Sequence, residues 1–522
     1  MPIFALAIFL SAFLLFQVQP LIARYILPCY GGSPTVWTTC LLFFQCGLLG
    51  GYAYAHALVT FLRDRRKLQI GIHLGLLALA LITLPVTPDE TLKSAEAVAN
   101  PIPGILKLLT FAVGLPYFLL SASGPLLQHW FGDSYPDKSP YRLYAVSNAG
   151  SILGLLTYPF LIEPALTVTS QTIAWSFGFG AYALTAAACA AAYLKLAHSK
   201  SAVDSPGNDS ATPSIDKILW VALAACGSML LLSLTNQMCQ DVAVVPFLWV
   251  LPLALYLLTF VITFDHSRWY RRRVAIPLAV IAVSAVILLI DDRLSEDEIH
   301  IAWQITIFVS AIFFGCLVCH GEVVRLKPPS RRLTGFYLAI SLGGALGGVF
   351  VSFIAPQIFS GYWELHCTLV LLAALTSIQL FRRFRPAFPR KPKLIGTGAL
   401  AWVALLILLA IGLDQHISEV KEDSLDTRRS FYGVLHVYEN DIGDADESLS
   451  LYHGRIEHGR QYLASDLKSI PAAYYSKGTG VGAFFNLYPR GNNNEPMHIA
   501  VIGLGFGTLS TYTTENDRIR FY

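Results

Sequence analysis

Apolar residues are not scattered along this chain but gathered into runs. From Phe4 to Leu413 stretches of roughly 18 to 25 mostly apolar residues alternate with short polar connections, each stretch long enough as a helix to cross a hydrocarbon core of about 30 Å. The pattern predicts thirteen helices, near 3–28, 36–62, 68–86, 103–127, 142–165, 171–196, 217–236, 243–264, 273–291, 301–320, 334–358, 362–381 and 394–413. After Leu413 the texture changes. "SFYGVLHVYEN" and "SLSLYHGRIEHG" alternate apolar and polar positions around a turn-rich "DIGDADE", which predicts a β-hairpin or meander. The last segment, "MHIAVIGLGFGTLSTYTTENDRIRFY", reads as strand, glycine turn, short helix and second strand.

Composition agrees with the runs. Over 522 residues the mean hydropathy is +0.54 and 14% of residues are charged, against about 25% in soluble domains. The first run lacks a basic leading segment and a small-residue cleavage site, so it is expected to span and not to be removed. The connections alternate in sign: those at Arg63, Arg271, Arg331 and Arg382 are basic, and those around Asp89 and Asp291 are acidic. The positive-inside rule then predicts a multi-pass protein of the cell (inner) membrane with a cytoplasmic N-terminus. A net charge of +3, with no basic block interleaved with aromatics, sets nucleic acid aside as a partner. The lipid bilayer is the partner this composition requires.

An internal repeat orders the runs. "SNAGSILG" at Ser147–Gly154 and "SLGGALGG" at Ser341–Gly348 share S-x-x-G-x-x-x-G, with Ser147, Gly150 and Gly154 falling on Ser341, Gly344 and Gly348 at an offset of 194. Small residues at this spacing let two helices approach closely, and that alone explains each motif. The shared offset lays the fifth run on the eleventh, as two six-helix halves require. The fold class expected is therefore an all-α polytopic membrane domain of a 6+6 repeat plus one helix, resembling the major facilitator architecture. It is followed by a small β-rich segment and the start of a Rossmann-like α/β unit. The divisions are 1–197, a cytoplasmic linker 198–216, 217–393, an additional helix 394–413, a β-rich part 414–496 and a Rossmann-like part 497–522.

The nine cysteines all precede residue 414 and lie in or beside apolar runs, where Cys behaves as a small hydrophobe. "CLVCH" at Cys316–His320 matches the spacing of c-type haem attachment. It leads into the basic "EVVRLKPPSRR", which marks the cytoplasmic side, whereas such haem is attached outside. His453 and His458 have no further ligands at suitable spacing, so no metal site is expected.

In "VIGLGFGT" an apolar strand runs into Gly503, Gly505 and Gly507, a turn that brings backbone N–H groups close to a nucleotide. The spacing is G-x-G-x-G, one residue short of the dinucleotide G-x-G-x-x-G. Val501 stands where methyltransferase loops often carry an acid.

Taken in order, "SFYGVLHV", "LYHGRIEHGRQYL", "PAAYYSKGTGVG" and the closing segment resemble the C-terminal part of bacterial proteins in which a major-facilitator-like domain is fused to a spermidine synthase-like (polyamine aminopropyltransferase-like) domain. "TNQMCQDVAVVPFLWVLPLALYLLTF" and "SNAGSILGLLTYPFLIEP" are similar to that family's membrane helices. The resemblance covers nearly the whole chain. It implies a transferase acting on amines with a decarboxylated S-adenosylmethionine-type donor, held by Gly503, Gly505 and Gly507, although Phe506 stands where the soluble enzymes have Asp. Gln461, as a cofactor contact, and His458 and Tyr475, as substrate contacts, match the region lining the pocket in relatives; strand packing is the plainer reading of each. The acidic residue that closes the second strand in relatives follows directly after their equivalent of "RFY", and their general-base Asp lies farther on. The chain to Tyr522 is thus expected to be C-terminally truncated, without a tightly bound cofactor and without aminopropyl transfer activity of its own.

Arg24, Glu163, Asp241, His320 and Glu322 fall in or near apolar runs, beside Gln17, Gln19, Asn148, Asn236 and Gln240. Ionisable groups at such depth are expensive and point to function. Two readings stand open for Glu163 and Asp241: a substrate pocket for a polyamine or other small cation, or helix-end pairing with Arg24. Two functions stand open with them, a membrane-anchored aminopropyltransferase-like enzyme, and a transporter or scaffold with a regulatory or vestigial tail. Thirteen crossings from a cytoplasmic N-terminus put the tail outside, whereas an adenosyl donor is made inside.

Overall fold

The computed structural model describes residues 2–88, 100–135, 141–196, 213–241, 247–266, 268–290, 299–328, 333–384, 392–489 and 495–522. They form two compact units, one of Met1–Ile358 with Glu364–Leu409 and one of Phe359–Trp363 with Ala410–Tyr522.

Each apolar run is helical. In chain order the helices are α1 (Pro2–Tyr30), α2 (Pro34–Phe61), α3 (Arg66–Ile82), α4 (Pro101–Ser134), α5 (Tyr141–Thr157, continuing through a π turn Tyr158–Ile162 to Ala165), α6 (Val168–Leu196), α7 (Ser214–Asp241), α8 (Phe247–Asp265), α9 (Arg272–Ile290), α10 (Ile301–Arg325), α11 (Leu333–Val349, continuing through a π turn Phe350–Ile354 to Ile358), α12 (Glu364–Phe384) and α13 (Pro392–Asp423). Among the described residues eleven are long and apolar enough to cross a membrane. The third run, 17 residues as α3, and the fifth are not among these eleven. Local chemistry explains the boundaries. Proline opens α2 and α4, where its missing N–H costs nothing. Gly31, at φ +76°, ends α1 by donating its N–H to the Leu27 carbonyl at 2.9 Å.

The first unit is built twice. α1 packs on α5, α4 and α6, as α7 packs on α11, α10 and α12; α2 packs on α4 as α8 packs on α10. The two sets meet where α2 lies on α11 and α5 on α8, contacts that exchange into one another when the halves are exchanged. Glycines make the close crossings. A Cβ at Gly150 would stand 2.7 Å from the Phe9 carbonyl oxygen, and one at Gly154 would collide with that of Phe13. On the other side Gly343 would collide with the Val221 carbonyl, and a Cβ at Gly347 would stand 2.5 Å from that of Ala225. By contact, then, Gly150 and Gly154 correspond to Gly343 and Gly347, one position from the correspondence the sequence motif suggests. Gly344 meets open space instead, and Gly348 faces Gln45 of α2. A π turn follows the second crossing glycine in both halves, within one residue of the same place.

α13 extends ten residues past the predicted end, because "DQHISEVKED" contains no Gly or Pro and the helix simply continues as a polar one. It runs directly into a four-stranded antiparallel meander in the second unit: β1 (Ser424–Ser430), β2 (Gly433–Asn440), β3 (Ser448–His453) and β4 (Ile456–Tyr462), in that spatial order. β1 is a strand that the sequence pattern did not predict. A short helix α14 (Gly480–Leu487) follows, and then β5 (His498–Val501) and β6 (Arg518–Phe521), paired in parallel with His498 opposite Arg518.

Candidate functional site

The glycine turn after β5 places three left-handed residues within five positions. Gly503, Gly505 and Gly507 all have left-handed φ, +90°, +55° and +77°, a conformation that costs any other L-residue about 1–2 kcal/mol. The Gly503 N–H is taken by the Tyr522 carbonyl at 2.9 Å, which ties the turn to the end of β6, and Gly507 N–H closes a tight turn on Leu504 O at 2.9 Å.

This turn folds back under β4. At Gly505 a Cβ would lie 3.3 Å from the Tyr475 hydroxyl and 3.7 Å from the His458 carbonyl oxygen. At Gly459, the next residue of β4, a Cβ would lie 2.5 Å from Cβ of Phe506. The surrounding tyrosines are pinned: Tyr474 donates to His458 O at 3.2 Å, and Tyr512 donates to Tyr475 O at 2.5 Å while stacking on Phe485. Burial, with a hydrogen bond to Tyr475 second, pushes the Tyr474 hydroxyl up to about 12, so it stays a neutral donor. Of the three tail residues expected to share a site with the glycines, Tyr475 meets Gly505 through its hydroxyl and His458 through its carbonyl oxygen. Gln461 is exposed and donates to the Lys468 carbonyl at 3.4 Å. His453 lies 5.8 Å from His458 between ring centres, and among the described residues no group of three or more His, Cys, Asp or Glu could hold a metal ion.

Two features of these residues bear on the adenosyl-type nucleotide that the resemblance implies. The backbone around Gly503–Gly507 offers approach without a Cβ, and the Thr508 hydroxyl at its end is buried without a partner among the described residues. Gly503, Gly505, Gly507 and Thr508 are the residues that would hold it.

In the first unit, Glu163 is paired with Arg24 at 2.9 Å, both side chains about 40% exposed. Beside them Tyr158 donates to Gln171 at 2.9 Å. Asp241 ends α7, and its side chain lies outside the described residues. Glu322 is the more deeply held acid. Its side chain is 1% exposed and accepts from Tyr270 at 2.7 Å and from Arg272 through both Nε, at 2.5 Å, and Nη2. Arg272 was hidden in sequence by its place in "RRR", a run that reads as a solvated cytoplasmic loop. A second hidden pair, Arg382 with Asp216 at 2.6 Å, joins the end of α12 to the start of α7. Cys316 and Cys319 are buried in α10, with the Cys316 thiol 3.5 Å from the Gly227 carbonyl, so this C-x-x-C-H is helix interior.

No protein-family model matches this chain. No curated protein matches it either.

Proposed function

We propose that this is a multi-pass membrane protein carrying the nucleotide side of an aminopropyltransferase-like domain. The observation that supports it is the convergence of three left-handed glycines with Tyr475 and β4, a cradle for a decarboxylated S-adenosylmethionine-type donor beside a strand that would face the amine. The donor, when bound, supplies a sulfonium-activated methylene for attack. The glycines admit it, Thr508 closes the end of their turn, and the Tyr475 hydroxyl stands beside Gly505. Titrating the 522-residue chain in lipid nanodiscs with decarboxylated S-adenosylmethionine tests this. Weak but saturable binding that Gly505→Val abolishes is expected, and binding indifferent to that change rejects the reading.

A second reading, a transporter of small amines or cations, is favoured by the twofold repetition of helix contacts. Two equivalent halves that meet along α2–α11 and α5–α8 suit rocking about a central path. Uptake of radiolabelled putrescine by proteoliposomes, compared with liposomes without protein, tests it.

Orientation bears on both. α12 and α13 are each long and apolar enough to cross, so Trp363 and Ser424 lie on the same side. Within the second unit Arg429 donates to the Gly361 carbonyl at 2.6 Å, its guanidinium lies over Tyr362, and Trp363 packs on His416. The basic stretch from the end of α12 to the start of α13 contains Arg382, Arg383, Arg385, Arg390, Lys391 and Lys393, which supports its retention in the cytoplasm. The tail then faces outward, and its donor has to be one present there. An alkaline phosphatase fused after residue 430 is expected to be active; a fluorescent protein that matures at that point instead places the tail inside.

A further inference from the structure

His320 lies on α10 where α7, α8 and α10 meet, and it has no exposed surface. Its ring stacks on Phe260 with centroids 3.6 Å apart and meets Tyr256 edge-on at 4.9 Å, both on α8. Nδ1 is 2.8 Å from the Thr259 hydroxyl. That hydroxyl already donates its hydrogen to the Tyr256 carbonyl at 2.7 Å, so toward the ring it accepts. The ring hydrogen is therefore on Nδ1, and Nε2 carries a lone pair. Nε2 has no hydrogen-bond partner among the described residues. It faces Gly227 of α7, where a Cβ would come within 3.0 Å, and the Gly227 carbonyl is engaged by Cys316.

Of the titratable groups near the ring, Tyr256 on α8 meets it directly and Cys319 on α10 lies beside the same Gly227, with Cys226 on α7 and Cys316 on α10 interacting with Cys319. Glu322, two residues along, is held on the α9 side by Tyr270 and Arg272. Among the described residues no Asp, Glu, Lys or Arg pairs with His320. A basic nitrogen is thus closed off from bulk solvent inside the membrane unit, with no counter-charge paired to it among the described residues.

We propose that Nε2 of His320 is a proton-binding site that couples protonation to separation of α7 or α8 from α10. The step is a plain acid–base exchange: the Nε2 lone pair takes a proton from hydronium, which leaves as water. An imidazolium in the sealed arrangement would be an unpaired charge at depth, so the protonated form belongs to an arrangement in which Nε2 reaches water. Falling pH draws the population toward that arrangement, by at most about tenfold per pH unit for one proton. The inference rests on the transporter reading for its purpose, but its test needs no transported substrate.

The experiment is hydrogen exchange by mass spectrometry on the full chain in lipid nanodiscs, between about pH 7.5 and pH 5, bracketing the ordinary histidine value of about 6.5. After correction for intrinsic rates, peptides covering 256–263 and 312–322 are expected to exchange faster at the lower pH. The acceleration should vanish in His320→Gln and persist in His73→Gln, a control at another buried imidazole, on α3, whose Nε2 has no hydrogen-bond partner among the described residues. Should His320→Gln fail to fold, Thr259→Val serves: losing the acceptor for Nδ1–H weakens the sealed state and moves the midpoint to higher pH. No acceleration in the wild type, acceleration surviving in His320→Gln, or an unmoved midpoint in Thr259→Val overturns the proposal.

Discussion

Arg272, the first residue of α9, grips Glu322 of α10 through two parallel donors, and the carboxylate is all but sealed from solvent. A charge so held is stabilising only as a pair, because each ion alone would be desolvated without compensation. Removing the guanidinium with Arg272→Met is expected to cost about 3–5 kcal/mol, read as a fall in the thermal midpoint of the detergent-solubilised protein. Adding Glu322→Gln to that variant should restore much of the loss. A double variant as unstable as the single one contradicts the pairing.

Adjacent glycines on α11 should behave oppositely. Gly343→Ala drives a methyl into the Val221 carbonyl, whereas Gly344→Ala meets nothing within 4 Å. Helices that associate by close packing cannot absorb such a collision without moving apart. The first change should sharply lower the yield of monodisperse protein and the second should leave it near wild type, as size-exclusion profiles will show.

Gly505→Ala tests the glycine turn apart from any ligand. At φ +55° an alanine costs about 1–2 kcal/mol in backbone conformation alone, and its methyl crowds the Tyr475 hydroxyl. Faster hydrogen exchange should appear in 472–476 and 498–512 together. Exchange confined to the substituted turn would mean that β4, Tyr475 and the turn are not one packed cluster.

The tail should weaken in mild acid. Burial holds the imidazoles of His436 and His453 below their ordinary range, and His458 adds to the effect at His453. With the folded value below the unfolded one, the unfolded tail binds more protons. Stability is therefore complete above the unfolded value of about 6.5 and drains away as pH falls below it toward the folded values. Limited proteolysis of the tail across that range should accelerate, and the double variant His436→Gln with His453→Gln should flatten the dependence.

Much of the fold was legible because a bilayer imposes a coarse code: the apolar runs located the helices of the first unit, eleven of which are long and apolar enough to cross, but not α14 in the tail. Finer features were not, for physical reasons. The motif S-x-x-G-x-x-x-G cannot tell Gly343 from Gly344 as the residue facing α7, since rotation of a helix by one position is invisible where glycines adjoin. The extension of α13 was missed because hydropathy marks where lipid ends, not where a helix ends. The β4–glycine convergence was only half visible. Resemblance brought His458 and Tyr475 to the turn, but it also brought Gln461, whose side chain points to Lys468. Partners such as Arg272 for Glu322 and Thr259 for His320 lie on other helices, and no local spacing announces them.

The paired π turns of α5 and α11 carry a consequence for the repeat. Each is one surplus residue in a helix, set just beyond a glycine that touches a neighbouring backbone. One six-helix pattern used twice accounts for this pair, whereas the π turn at Thr110–Gly114 of α4 has no counterpart in α10 among the described residues.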